Sequence, residues 1–178
     1  MVSCSYVVEV KRLHLIAEAL QKADFPVRWT HIGTGPLSKE LIRRASSLPP
    51  NVTAEFPGWM DNASVMEYYS SQKVSAFVNV SASEGIAVSI MEACSFGFPV
   101  IATDVGGTGE IVSDRVNGFL LPADFTPEQF LEKLRALRSM NEREYTRLCS
   151  ASRKIWEEKF DAARNYREFY DRIGGGAP

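Results

Sequence analysis

The stretch Ser75-Ala76-Phe77-Val78-Asn79-Val80, Ser81-Ala82-Ser83-Glu84-Gly85-Ile86-Ala87, Val88-Ser89-Ile90-Met91-Glu92-Ala93-Cys94-Ser95-Phe96 and Pro99-Val100-Ile101-Ala102-Thr103 decides how this chain folds. Its first and last pieces are apolar runs of strand length, and the third carries helical spacing. Gly85, followed by Ile86 and Ala87, supplies a tight turn into that helix. Strand, turn, helix and strand in this order form a parallel unit, because parallel neighbours need a crossover between them. A helix beginning near Ala87 leaves its first N–H groups free, an anion site between Glu84 and Glu92. The eight steps between the two carboxylates span at most roughly 12 Å at the helical rise. That length suits a sugar at one end, a diphosphate in the middle and a ribose at the other. Taken bare, the spacing equally fits two solvated glutamates, one on a loop and one on a helix face.

Outward from this unit the same alternation continues. Strand-like runs occur at Cys4–Val10, Val27–Ile32, Val52–Phe56, Ser75–Val80, Pro99–Thr103 and Gly118–Leu121. Helical patterns lie between them at Leu13–Ala23, Leu37–Ser47, Asn62–Ser71, Val88–Phe96 and the short Glu110–Val112. The strands are continuously apolar, as in a parallel sheet covered on both faces. From Thr126 the chain turns helical, with Pro127–Ser139, Glu142–Lys159 and Ala162–Ile173 capped by Asp124, Asn141 and Asp161. The reading is an α/β fold of one domain over residues 1–173, with a parallel sheet of about six strands. The tail 174–178, Gly-Gly-Gly-Ala-Pro, is expected to be disordered.

Composition narrows the function classes. With 178 residues, 45% of them hydrophobic, the chain can bury a core of its own. A net charge of −2 gives no reason to expect a nucleic-acid partner. No apolar run approaches the ~20 residues of a membrane span, and no secretory leader is visible, so a cytoplasmic location is expected. Cys4, Cys94 and Cys149 are odd in number, lack metal-ligand spacing and are expected to stay reduced. His14 and His31 fall in a helix and a strand, where structural roles are expected. No Asp-x-Asp occurs, which removes the usual metal clamp of nucleotide-sugar transfer.

The motifs Asn79-Val80-Ser81, Ser83-Glu84-Gly85-Ile86-Ala87-Val88, Glu92-Ala93, Gly97-Phe98-Pro99-Val100-Ile101-Ala102-Thr103, Gly106-Gly107, Glu110-Ile111-Val112 and Asn117-Gly118-Phe119-Leu120 carry a resemblance. Weaker matches are Lys11-Arg12, Ile32-Gly33-Thr34-Gly35-Pro36 and Phe56-Pro57-Gly58 with Asn62 and Val65. Together they resemble the C-terminal, donor-binding domain of the retaining GT-B glycosyltransferases of group 1 (GT4-like). The resemblance implies a Rossmann-like domain with helices on both faces. It implies no cofactor and no metal, a UDP-, GDP- or ADP-sugar as donor, and an N-terminal domain of the same protein that this chain lacks. The chain is thus expected to be an excised domain, inactive alone, from a cytoplasmic enzyme working at the membrane's cytoplasmic face.

By resemblance, Glu84 and Lys11 are the catalytic residues: Glu84 accepts donor-sugar hydroxyls and Lys11 reaches the diphosphate. The backbone of Gly85, Ile86, Ala87 and Val88 holds sugar and phosphate oxygens, and Glu92 binds the ribose diol. Gly33 borders the nucleotide, Met60 lies beneath the base and Asn62 nearby, although Asn62 fits a helix N-cap equally well. Gly33-Thr34-Gly35 is also explained by a strand-to-helix turn, with Pro36 at the first helical position. One departure stands out. The family usually carries an arginine where this chain has Tyr6, so a second phosphate charge comes from elsewhere, with Arg12 the candidate, or is absent. Two other readings remain: a non-catalytic nucleotide-sugar-binding module, and a sugar-nucleotide epimerase of similar fold. Tyr166, Phe169 and Tyr170 form an aromatic stripe on the last helix, exposed or covered in a dimer contact.

Overall fold

A computed structural model describes residues 1–174. Six strands form one sheet in the order β3-β2-β1-β4-β5-β6, every neighbouring pair parallel. They are β1 (Val2–Cys4), β2 (Val27–Ile32), β3 (Val52–Gly58), β4 (Phe77–Asn79), β5 (Val100–Thr103) and β6 (Gly118–Leu121). The helices are α1 (Leu13–Leu20), α2 (Ser38–Ala45), α3 (Asn62–Ser71), α4 (Val88–Ser95), α5 (Thr108–Ile111), α6 (Pro127–Ser139), α7 (Glu142–Lys159) and α8 (Ala162–Gly174). The order reverses between β1 and β4, and at such a switch the two following loops diverge and open a crevice at the carboxyl ends of the strands.

Strand alternation builds two cores, one on each face of the sheet. Val78, Val80 and Ile101 point to one face and join Ile16, Leu20, Trp29, Phe119 and Phe130. Phe77, Val100 and Ala102 point to the other and join Tyr69, Ile90, Cys94 and Phe98. Tyr69 meets Phe96 and Phe98 edge-on at 5.6 and 5.4 Å, the tilted geometry that aromatic quadrupoles favour. Buried Ser152 on α7 donates to Phe98 O at 2.7 Å and fixes α7 over the α4 side.

Several boundaries move from their sequence expectation, each for a physical reason. The strand expected over Cys4–Val10 is β1 at Val2–Cys4, after which the chain turns into a 3-10 helix at Glu9–Lys11. Between them Ser5 N–H donates to Ile32 O at 3.0 Å and Val7 N–H to Thr34 O at 2.9 Å, so this segment follows the Gly33–Gly35 loop. A Cβ on Gly33 would lie 2.0 Å from Ser5 O, and one on Gly35 2.4 Å from Val7 O. Those glycines are thus required by backbone approach. Pro36 lies in a turn ahead of α2, which starts at Ser38. Asp61, not Asn62, caps α3 by accepting Ser64 N–H at 2.8 Å. Thr126, not Asp124, caps α6 in a capping box with Gln129, while Asn141 and Glu144 form the box expected for α7. Asp161 Oδ1 accepts Ala163 N–H at 2.9 Å, as a cap of α8 would. Gly174 closes α8 rather than opening the tail, and residues 175–178 lie outside the described residues.

His31 is the buried titratable group of the sheet. Its Nδ1 lies 2.9 Å from Ser3 Oγ, which also accepts Trp29 Nε1–H at 2.9 Å. Burial pushes the imidazole down to about 4, so it stays neutral in the fold. The unfolded chain binds that proton from about pH 6.5 downward, and the folded chain only near pH 4. Folding stability should therefore fall as pH drops through this window, by on the order of 3 kcal/mol from this residue. Urea titrations of the wild type and His31→Gln across pH 7 to 4 check this; the variant should show a shallower loss, and parallel curves would contradict it.

Candidate functional site

Every candidate residue lies past the carboxyl end of a strand or on the helix that follows. Lys11 ends the 3-10 turn after β1, and Glu84 lies on the loop between β4 and α4. Lys11 Nζ reaches Glu84 Oε1 at 2.6 Å, and the same oxygen accepts Ser81 Oγ–H at 2.6 Å and Asn79 Nδ2–H at 3.0 Å. The Glu84 side chain is 10% exposed and that of Lys11 22%, so this pair is far less screened than a surface one. Burial works to raise the Glu84 carboxyl, but the bonds from Lys11, Ser81 and Asn79 outweigh it and hold it below the usual range. Glu84 is ionised and oriented, with one oxygen carrying all three bonds. Asn79 and Ser81 belong to the matched motif but had no assigned role; their spacing to Glu84 was the available signal.

Arg12 sets this corner. It adopts a left-handed backbone, φ 48°, at the junction of the 3-10 turn and α1. Its guanidinium donates to Val80 O at 2.8 Å, Ser81 O at 3.0 Å and Ala123 O at 2.6 Å, and stacks over Phe125 at 5.4 Å. Ala82 N–H adds a bond to Val10 O at 2.7 Å. Arg12 is thus engaged with three carbonyls and is not a spare phosphate charge. Tyr6 stands 60% exposed nearby in sequence and brings a phenol where an arginine was expected.

The loop between Glu84 and α4 is supported from behind and open in front. A Cβ on Gly106, φ 52°, would lie 1.7 Å from Glu84 O, and Gly107 N–H donates to Gly85 O at 3.0 Å. Gly85 itself has nothing within 4 Å of an added Cβ. Ala87 is buried, whereas Ile86 and Val88 are half exposed. No side chain caps α4, and among the described residues the N–H groups of Ala87, Val88 and Ser89 have no partner. Gly85, Ile86, Ala87 and Val88 therefore form an uncapped helix entry beside an ionised carboxylate, able to accept an anion.

Glu92, one turn into α4, forms a second centre. It accepts Asn62 Nδ2–H at 2.5 Å, and burial raises its carboxyl against that bond. Cys4 lies close enough that, after burial, the Glu92 charge helps push its thiol up to about 11. Beside this pair a cleft of about 300 Å³ is lined by Gly33, Met60, Ile32 and Cys4 among others. The fold thus brings Lys11 to Glu84, Asn62 to Glu92 and Gly33 to Met60, in three adjoining places. Among the described residues no cluster of three metal-ligating side chains occurs, and no helix is long and apolar enough to cross a membrane. Tyr166, Phe169 and Tyr170 of α8 are exposed, and no residue of that helix is buried.

Anabaena Alr3699/HepE in complex with UDP superposes with a TM-score of 0.78 at 21% identity, over 98% of this chain and 48% of that one. The C-terminal domain of a Francisella tularensis group 1 glycosyl transferase (LpcC) superposes at 0.72 and 22% identity, over 90% of this chain and 86% of that one. Both share the fold. In sequence, the uncharacterized glycosyltransferase MJ1178 of Methanocaldococcus jannaschii is 37% identical over 170 residues, 93% of this chain and 46% of that protein. D-rhamnosyltransferase WbpZ of Pseudomonas aeruginosa is 30% identical over 128 residues, 71% of this chain and 32% of that protein. The chain spans between 22% and 46% of the length of the curated relatives it matches. A family model for glycosyl transferases group 1 matches residues 1–155, from the first strand into α7, and the chain belongs to that family.

Proposed function

We propose that this chain is the nucleotide-sugar donor domain of a retaining, metal-independent, GT4-like glycosyltransferase that builds a polysaccharide or glycoconjugate. The observation that carries the reading is the Lys11–Glu84 pair set against the uncapped start of α4. Glu84 accepts hydroxyls of the donor sugar with the oxygen its three partners leave free. Lys11 and the N–H groups of Gly85, Ile86, Ala87 and Val88 take the diphosphate, so that charge developing on the leaving group meets fixed donors. The α4 dipole adds on the order of 0.3–1 kcal/mol where exposed and more where partly buried. Glu92, steadied by Asn62, accepts the ribose diol, and Gly33 and Met60 border the base. The complexes of HepE with UDP and with UDP-glucose, in a chain of the same fold, support a nucleotide-sugar ligand.

The rest of the enzyme, with the acceptor site, lies in a preceding domain, and this domain alone binds donor weakly without transferring it. Tyr6 in the arginine position favours a second reading, a non-catalytic module with the same ligand. The exposed α8 stripe is a surface for that preceding domain or for a second copy.

Calorimetric titration with UDP, GDP, ADP and their sugars should find at least one nucleoside diphosphate that binds in the millimolar range or tighter. Silence from all of them would remove the donor-domain reading. Glu92→Ala should weaken nucleoside diphosphate binding roughly tenfold or more, the scale of a lost hydrogen bond to a charged group. Glu84→Ala should weaken it less, since the diphosphate lacks the sugar; equal losses would contradict the division between ribose and sugar.

A further inference from the structure

The chain holds three tryptophans, and the fold accounts for two of them. Trp29 is fully buried, donates to Ser3 Oγ at 2.9 Å and meets Phe56 edge-on at 5.5 Å. Trp156 lies under the Arg153 guanidinium at 4.6 Å. Trp59 is 73% exposed and, among the described residues, has neither an aromatic nor a cationic partner. It is nevertheless held in place. It follows Gly58, whose φ of 88° only glycine adopts without strain, and Gly58 O accepts Gly33 N–H at 2.8 Å. That bond ties the loop after β2 to the last residue of β3.

Trp59 lines the same cleft of about 300 Å³ as Met60 and Gly33, and Tyr6, 60% exposed, lines it too. Two residues beyond Met60, Asn62 binds Glu92, so the cleft adjoins the carboxylate assigned to the ribose. Among the described residues no Asp, Glu, Lys or Arg lines the cleft, so they offer no charged partner to a phosphate or a hydroxyl-rich sugar. It does offer an unpartnered π-face, a thioether and backbone, the surface that suits a flat heteroaromatic ring.

We propose that Trp59 is the stacking platform for the donor's nucleobase, with Met60 and Gly33 as the floor of the site and Tyr6 at its rim. This rests on the nucleotide-sugar reading and adds to it a residue that grips the base. Stacking tolerates any base, so Trp59 sets affinity for the nucleoside part, while backbone groups of the pinned Gly33 and Gly58 loops are left to discriminate among bases.

The test compares the 178-residue chain with Trp59→Ala, Trp59→Phe and Glu92→Ala. Titrations use UDP, GDP and ADP, and ribose 5-phosphate as a ligand without a base. Trp59→Ala should weaken every nucleoside diphosphate roughly tenfold, the usual scale of one base–aromatic stack. Trp59→Phe should keep most of the affinity, and ribose 5-phosphate should bind both variants as it binds the wild type. Binding should also quench tryptophan fluorescence in the wild type and not in Trp59→Ala, where Trp29 and Trp156 remain. Equal nucleotide affinity in Trp59→Ala and wild type, with Glu92→Ala weakened, would overturn the stacking role and leave the donor reading standing. An equal loss for ribose 5-phosphate would also overturn it, since that marks loop damage. Failure of the wild type to bind any nucleotide removes the donor reading itself.

Discussion

Three backbone carbonyls, from Val80, Ser81 and Ala123, converge on the Arg12 guanidinium, and the site depends on that convergence. Neutral acceptors meeting a charged donor give bonds stronger than amide–carbonyl ones. Their effect here is geometric. At the sheet's switch point the loops after β1 and β4 would otherwise diverge, because one chain direction leads to β2 and the other to β5. Arg12 ties them together and accepts a left-handed backbone to do so, a strain that such a site can carry when its surroundings fix it. Lys11, the preceding residue, is thereby delivered to Glu84 across that gap.

The two carboxylates then differ in character because their surroundings differ. Glu84 receives three donors on one oxygen, so burial is outweighed and the group is ionised before any ligand arrives. Glu92 has Asn62 alone against burial, and its carboxyl is raised. Desolvation is thus compensated at Glu84 and only partly at Glu92. A partly compensated carboxylate gains most from any new hydrogen-bond donor. The two carboxylates are thus set in different states by hydrogen-bond count alone.

Much of this was legible in the sequence. The strand–turn–helix–strand unit around Glu84, the parallel alternation and the helices from Pro127 to Lys159 follow from periodicity, and the structure places them where the pattern does. Several of the errors share one cause, which is that local signals do not report distant backbone. Val7, Val8 and Val10 read as strand, yet Val7 N–H is bonded to Thr34 O in the Gly33–Gly35 loop instead. Arg12 read as a free cation because its acceptors lie 68, 69 and 111 residues away. Asn62 was open between a cap and a site residue; Asp61 takes the cap, and Asn62 is left to hold Glu92.

The glycines show the same limit from the other side. Gly33, Gly106 and Gly85 all sit in loops of the candidate site, and sequence gives no reason to separate them. Gly33 and Gly106 face other backbone so closely that any Cβ would collide, with Ser5 O and Glu84 O respectively. Gly85 faces nothing. A residue type that weakens ordered structure unless it is needed is therefore explained at two positions by the protein's own packing. At the third the space is on the open side of the loop, between Glu84 and the free N–H groups of α4, and packing gives no reason for a glycine there.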